Sequence, residues 1–207
     1  MIKIATSILN SEDKIESIKK LNNTNTDYIH IDVMDNEFVP NYSLPVSVVN
    51  ELSKYTNIPF DIHLMVNNPE DFIKNLTAKN TICITIHIEI NKDLHNLIKL
   101  IKSYNYQVGL AIKPNTNINT LDEYINEIDK VIVMSVEPGF GGQKYIENST
   151  NRCIEIKEKR KDIILEIDGG INNDTINKVK DIVDIAVVGS YITNNTDYQK
   201  AINDLKN

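Results

Sequence analysis

Short apolar runs rich in Ile and Val alternate with amphipathic stretches of helical period along the whole chain. IKIATSIL (2–9) predicts a strand, and Asn10 or Ser11 is placed to cap the helix SEDKIESIKKL, which carries acids first and lysines last. YIHIDVM (28–34) is a second strand, followed after a loop by the helical period of LPVSVVNELSKY. PFDIHLMV (59–66) precedes PEDFIKNL, where Pro69 suits a first helical turn. TICITIHIE (81–89) leads into DLHNLIKLIKSY, with Leu94, Leu97, Ile98 and Ile101 on one stripe. QVGLAIKP with the helix LDEYINEI, and KVIVMSVEPG with the helix NSTNRCIEIKEKRK, extend the alternation. IILEIDGG, a helix over NDTINKVKDI, the strand IAVVGS and a last helix in TDYQKAINDLK complete it. About eight strand–helix units, with β-branched strands that read as buried on both faces, predict a (β/α)8 TIM barrel over residues 1–207. A doubly wound open sheet is the structural alternative, and no linker or composition break divides the chain.

Composition narrows the function classes. The chain of 207 residues, 41% hydrophobic and 25% charged, is ordinary for one soluble domain. A formal net charge of −7 gives no electrostatic reason to expect nucleic acid as a partner. An anionic substrate would need local positive potential from a metal or from backbone amides. Cys83 and Cys153 are expected to be free thiols in a reducing compartment. MIKIATSIL lacks the layout of a signal peptide, and no run is long enough for a membrane span. The expectation is a cytoplasmic protein with no membrane partner.

The chemistry concentrates at predicted strand ends. Residues two apart on a strand share a face, so His30, Asp32 and Met34 point one way. The first strand ends in Ser7, the third carries Asp61 and His63, and the seventh ends in Asp168. Barrel active sites lie at these C-terminal strand ends. Imidazoles and carboxylates gathered there would bury unpaired charge unless they held a cation. The donor set suits Zn²⁺, Fe²⁺, Mn²⁺ or Co²⁺ without choosing among them. The sixth, seventh and eighth strands run into PGFGGQ, Gly169–Gly170 and Gly189–Ser190. Glycines after strands seven and eight occupy the usual phosphate position of this architecture.

HIDVMDNEFVPN, DIHLMV, VEPGFGGQ, IDGGI and VVGS, in this order and spacing, closely resemble the ribulose-phosphate 3-epimerase family from Ser7 to Ser190. The resemblance implies a ribulose-phosphate binding barrel that interconverts D-ribulose 5-phosphate and D-xylulose 5-phosphate in the pentose phosphate pathway. By motif match, His30, Asp32, His63 and Asp168 would hold one divalent metal, with Asp32 and Asp168 as the acid–base pair. Ser7 and His63 would contact substrate. Gly139, Phe140, Gly141 and Gly142 would form the loop closing over the sugar, and Gly169, Gly170, Gly189 and Ser190 the phosphate cradle. Met34, Met65 and Met134 would make an apolar layer beside the metal. The family also implies a homo-oligomer. One position departs from the pattern: Asn36 stands where the family has glycine, and Asn is the next most tolerant residue of positive φ.

The chemistry of C3 inversion agrees with two carboxylates. A proton leaves one face beside a carbonyl and another returns on the opposite face, which one base cannot easily serve. A metal would stabilise the charge of the intervening ene-diolate as a Lewis acid. His87 and Glu89 are expected behind the ligands, His95 on a solvent-facing helix, and Glu137 and Gln143 as loop braces. Lys113 and Asn115 are weaker candidates for substrate contact. The alternatives are a 3-epimerase of a hexulose 6-phosphate such as allulose 6-phosphate, and a non-catalytic phosphosugar-binding barrel. The D-x-K-x-x-D pattern of related decarboxylases and aldol-type synthases is absent.

Overall fold

Strand β1 (Lys3–Ser7) pairs in parallel with β2 (Tyr28–Asp35), and that pairing closes the sheet into a barrel. A computed structural model describes residues 1–206. The two-residue strand β3 (Tyr42–Ser43) folds back antiparallel on the end of β2. The remaining strands are β4 (Phe60–Met65), β5 (Thr81–His87), β6 (Gln107–Ile112), β7 (Lys130–Met134), β8 (Ile164–Asp168) and β9 (Ile185–Val188). The order β1-β9-β8-β7-β6-β5-β4-β2-β3 makes nine strands, of which all but β3 form the parallel barrel. This is the predicted TIM barrel, and the open sheet is excluded by the β1–β2 pairing.

Outside the barrel lie α1 (Lys14–Leu21), α2 (Val46–Leu52), α3 (Pro69–Asn75), α4 (Leu94–Ser103), α5 (Asn148–Lys159), α6 (Ser190–Thr193) and α7 (Tyr198–Lys206). The α4 stripe is as predicted: Leu94, Leu97, Ile98 and Ile101 are all buried. Burying each such side chain contributes about 1.5–3 kcal/mol. Asp13, rather than Asn10 or Ser11, caps α1, its carboxylate accepting from the Glu16 amide.

Two predicted helices are cut short. The LDEYINEI segment contributes only a 3-10 turn over Ile118–Glu123, and NDTINKVKDI only one over Ile176–Lys178. Asn117 bonds its own neighbour two residues on, and Asn172 accepts from Asp174 and Thr175. Such side-chain turns compete with helix, and β-branched residues around Ile176, Val179 and Val183 propagate it poorly.

Alternation along each strand sorts the core into two compartments. Ile29, Ile31, Val33, Ile62 and Leu64 face the helices in one large apolar cluster. The other parity faces the barrel axis, where apolar groups are small and separated. Ala5, Ile185 and Val187 form one such group, with Val187 reaching the level of Asp168, and Met34 with Met65, and Ala111 with Ile132 and Met134, form two others. Among these groups the interior carries the buried polar side chains of His30, Asp32, Asp61, His63, Lys130 and Glu166. Cys83 and Cys153 are buried free thiols. No helix among the described residues is long and apolar enough to cross a membrane.

Candidate metal centre and substrate cavity

The strand period places His30 and Asp32 on the inward face of β2, and the register pairs Asp32 with His63 of β4. Asp168 ends β8 on the same level. His30 Nε2 lies 3.5 Å from Asp32 Oδ1 and 3.8 Å from Asp168 Oδ2. His63 Nδ1 lies 3.6 Å from Asp32 Oδ1 and 3.4 Å from Asp168 Oδ2. Both histidines are fully buried, and neither of these two ring nitrogens has a hydrogen-bond partner. Orphaned buried nitrogens aimed at two carboxylates fit a cation between them. Ligand bonds of about 2.0–2.2 Å in a tetrahedral site imply ligand–ligand edges of about 3.3–3.6 Å. The observed separations match that spacing closely.

The same closeness shapes the protonation of His30, His63 and Asp32. Burial opposes a charged His30, but Asp32, Asp61 and Glu166 outweigh it and hold its pKa well above the ordinary value. His63 is also raised, burial being outweighed by Asp168 and Asp32. For Asp32, burial acts against the carboxylate, and His30 and His63 reverse the effect, holding it far below the usual range. Ser7 Oγ donates to Asp32 Oδ2 at 2.7 Å, which fixes the carboxylate with Oδ1 toward the histidines.

Asp61, read from the sequence beside His63 at the end of the third strand, does not join the cluster. It sits one layer deeper, pairing with Lys130 Nζ and approaching His30 Nδ1 at 3.2 Å. It faces the opposite ring nitrogen from the one in the cluster. Lys130 and Glu166 complete this lower layer, and sequence reasoning missed both. A signal was present: Lys130 shares its face with Ile132 and Met134, and Glu166 shares its face with Asp168. His87 stands behind His63, Nε2 to Nε2 at 2.9 Å, and its Nδ1 meets Glu89 Oε2 at 2.9 Å. Neither belongs to the four-residue cluster, as expected.

Above the cluster opens a cavity of about 330 Å³. Its floor is Ser7, Asp32 and Asp168 with the three methionines 34, 65 and 134. The sulfur side chains are almost fully buried, Met34 and Met134 at 2% and Met65 at 1% exposure. One wall is Gly139–Gly142 with Phe140, and another is Gly169, Gly170, Gly189 and Ser190. His30 and His63 do not reach the wall and lie beneath it. Gly170 has φ +65°, and a Cβ there would meet the Tyr145 amide nitrogen at 2.5 Å. Ser190 opens the short helix α6 after Gly189, so amides at its start precede any intrahelical acceptor.

The loops around the cavity brace one another. Asn36 takes φ +62°, the conformation expected of it, and its amide donates to the Asn41 carbonyl. Asn41 Nδ2 donates to the Gly139 carbonyl at 2.7 Å. Gln143 Nε2 donates to the carbonyls of Glu137 and Phe140, the loop-bracing role expected of it. Lys113 sits over the Phe38 ring at 3.9 Å, and neither it nor Asn115 lines the cavity. His95 is partly exposed on α4 and pairs with Glu123 and Glu127.

A parallel eight-stranded barrel with a His/Asp cluster under a glycine-walled cavity at its C-terminal strand ends defines a TIM-barrel enzyme with a metal-type site. Residues 3–193 match the ribulose-phosphate 3 epimerase family. The ribulose-phosphate 3-epimerase of Bacillus subtilis (strain 168) is 34% identical over 214 residues, covering 100% of this chain and 99% of the relative. That of Aquifex aeolicus (strain VF5) is 37% identical over 185 residues, 87% of this chain and 83% of the relative. Among solved structures, KGPDC from Streptococcus mutans superposes with a TM-score of 0.75 at 13% identity, covering 100% of this chain and 96% of that one. The 3-hexulose-6-phosphate synthase of Salmonella typhimurium gives 0.74 at 16% identity, covering 99% and 96%. These two share the fold. The chain belongs to the ribulose-phosphate 3-epimerase family and is an isomerase.

Proposed function

We propose that the protein interconverts D-ribulose 5-phosphate and D-xylulose 5-phosphate by epimerisation at C3, using one divalent cation held by His30, Asp32, His63 and Asp168. The observation that carries the reading is the placement of Asp32 and Asp168. They come from β2 and β8, separated around the barrel by β1 and β9, and both line the cavity above two buried imidazoles. A substrate carbon between two such carboxylates can lose a proton to one and regain a proton from the other. The direction of reaction decides which acts as base.

A bound Zn²⁺, Fe²⁺, Mn²⁺ or Co²⁺ supplies Lewis-acid stabilisation of negative charge on the substrate oxygens. The chain's own residues do the rest. Ser7 orients Asp32 through its hydrogen bond. Met34, Met65 and Met134 keep water from the ene-diolate, which would otherwise collect protons without facial control. The glycines at 169, 170 and 189, with Ser190, bring backbone close to the phosphate. Gly139 to Gly142, carrying the exposed Phe140, close over the sugar. A homo-oligomer belongs to the same reading and is tested by sedimentation velocity across concentrations.

The decisive experiment is turnover of ribulose 5-phosphate by metal-reconstituted protein in deuterated solvent. Deuterium enters C3 as xylulose 5-phosphate forms. Exchange without epimer, or turnover only of a hexulose 6-phosphate, overturns the assignment. Elemental analysis of protein purified without added metal identifies the cation.

A further inference from the structure

One layer below the His/Asp cluster, the barrel axis holds charge where TIM barrels usually pack branched apolar side chains. Asp61, Lys130 and Glu166 are 1%, 2% and 0% exposed. Lys130 Nζ donates to Asp61 Oδ1, and to Glu166 Oε2 at 2.6 Å. The other oxygens of the two acids, Asp61 Oδ2 and Glu166 Oε1, lie 3.2 and 3.3 Å from His30 Nδ1. His30 is thus gripped on one ring nitrogen by this layer while its other nitrogen faces Asp32 and Asp168.

His30, Asp61 and Glu166 also converge closely enough to be a cation site in their own right. The ammonium of Lys130 lies between the two acids and fills that role from within the chain. Burial opposes its charge, and attraction to Asp61 and Glu166 outweighs the opposition. Without it, the His30 ring alone would offset two buried carboxylates.

We propose that Lys130 is a positioning residue for the reaction: a tethered cation that locks Asp61 and Glu166 against His30 Nδ1, so that Nε2 is held toward the His/Asp cluster. The inference rests on the reading of that cluster as the metal site. Groups that orient a metal-ligating histidine typically change metal affinity by about 10–100-fold when removed. Lys130 acts one contact further out, through both such groups at once.

The test is Co²⁺ titration of metal-free wild type and Lys130→Met, followed by d–d absorption and by competition with a chromophoric chelator. Wild type is expected to bind Co²⁺, and the variant to bind it about 10–100-fold more weakly with a changed visible spectrum. Uptake of a second Co²⁺ by the variant also supports the tethered-cation role. Unchanged affinity and spectrum overturn it while leaving the metal reading intact. Wild type that binds no Co²⁺ overturns the metal reading itself, and this inference with it. If Lys130→Met does not fold, wild type carries the test. Lys130 is the buried lysine among the described residues, so its slowly exchanging ammonium is identifiable by ¹H–¹⁵N NMR. That signal is expected to shift when Zn²⁺ is added, and a signal that does not move overturns the proposal.

Discussion

His63 and His87 meet Nε2 to Nε2 at 2.9 Å, so one hydrogen serves both rings. With the proposed cation on His63 Nδ1, that hydrogen belongs to His63. His87 then accepts at Nε2 and donates from Nδ1 to Glu89. Burial lowers the His87 pKa to about 4, which keeps the ring neutral and suits it to this relay of fixed donors. Replacing His87 by Leu leaves the His63 N–H unanswered. Calorimetric titration of metal-free protein with Zn²⁺ should show affinity lower by about 10–100-fold. His87→Gln, which retains an acceptor, should recover part of the loss.

Glu89 ends that relay. Burial raises its pKa, but His87, the Lys113 amide and Thr116 together bring it down to about 2. A carboxylate depressed in the folded state contributes stability above its unfolded pKa and loses it as pH falls through the folded value. The contribution is therefore full above about pH 4.5 and fades toward pH 2. After allowance for solvent screening it amounts to about 2–3 kcal/mol. Urea denaturation of wild type and Glu89→Gln should show a clear gap at pH 7 that narrows as pH drops below about 4.5. A gap independent of pH would assign the loss to packing instead.

Asp168→Asn preserves shape and removes one of the two proposed proton carriers. With the cation saturating, kcat should fall by about 100-fold or more in both directions. Circular dichroism should remain that of the folded barrel. Retention of wild-type turnover would remove Asp168 from the acid–base pair.

Gly170→Ala asks a different part of the cavity. The position needs φ +65°, and the added Cβ would press on the Tyr145 amide at 2.5 Å. The expected cost is about 1–3 kcal/mol from left-handed backbone and displaced chain. On the proposed reading of this wall as the phosphate cradle, its displacement should raise KM for the phosphosugar more than it lowers kcat. A thermal melt and steady-state kinetics on the same preparation separate the two effects.

The strand ends were legible because chemistry and period coincide there. His30, Asp32, His63 and Asp168 stand out as polar residues within apolar strands, and the alternation puts His30 and Asp32 on one face of theirs. The α4 stripe was equally plain from its spacing. What escaped was depth. Asp61 and His63 share a face, but Asp61 is in register with His30 and His63 with Asp32, so Asp61 meets the far nitrogen of the His30 ring from below. Glu166 and Lys130 belong to that lower layer, and their pairing depends on which strands are neighbours around the barrel. The short turns at 118–123 and 176–178 failed for a local reason, since Asn side chains took backbone partners that a helix would have used.

The bond from Asn41 to the Gly139 carbonyl ties the loop after β2 to the loop after β7. Opening that side of the cavity breaks it, whichever loop moves first. Admission of substrate and escape of product on that side are thus a shared property of two distant stretches of chain. A change in either loop should be felt in the residence time of whatever lies between them.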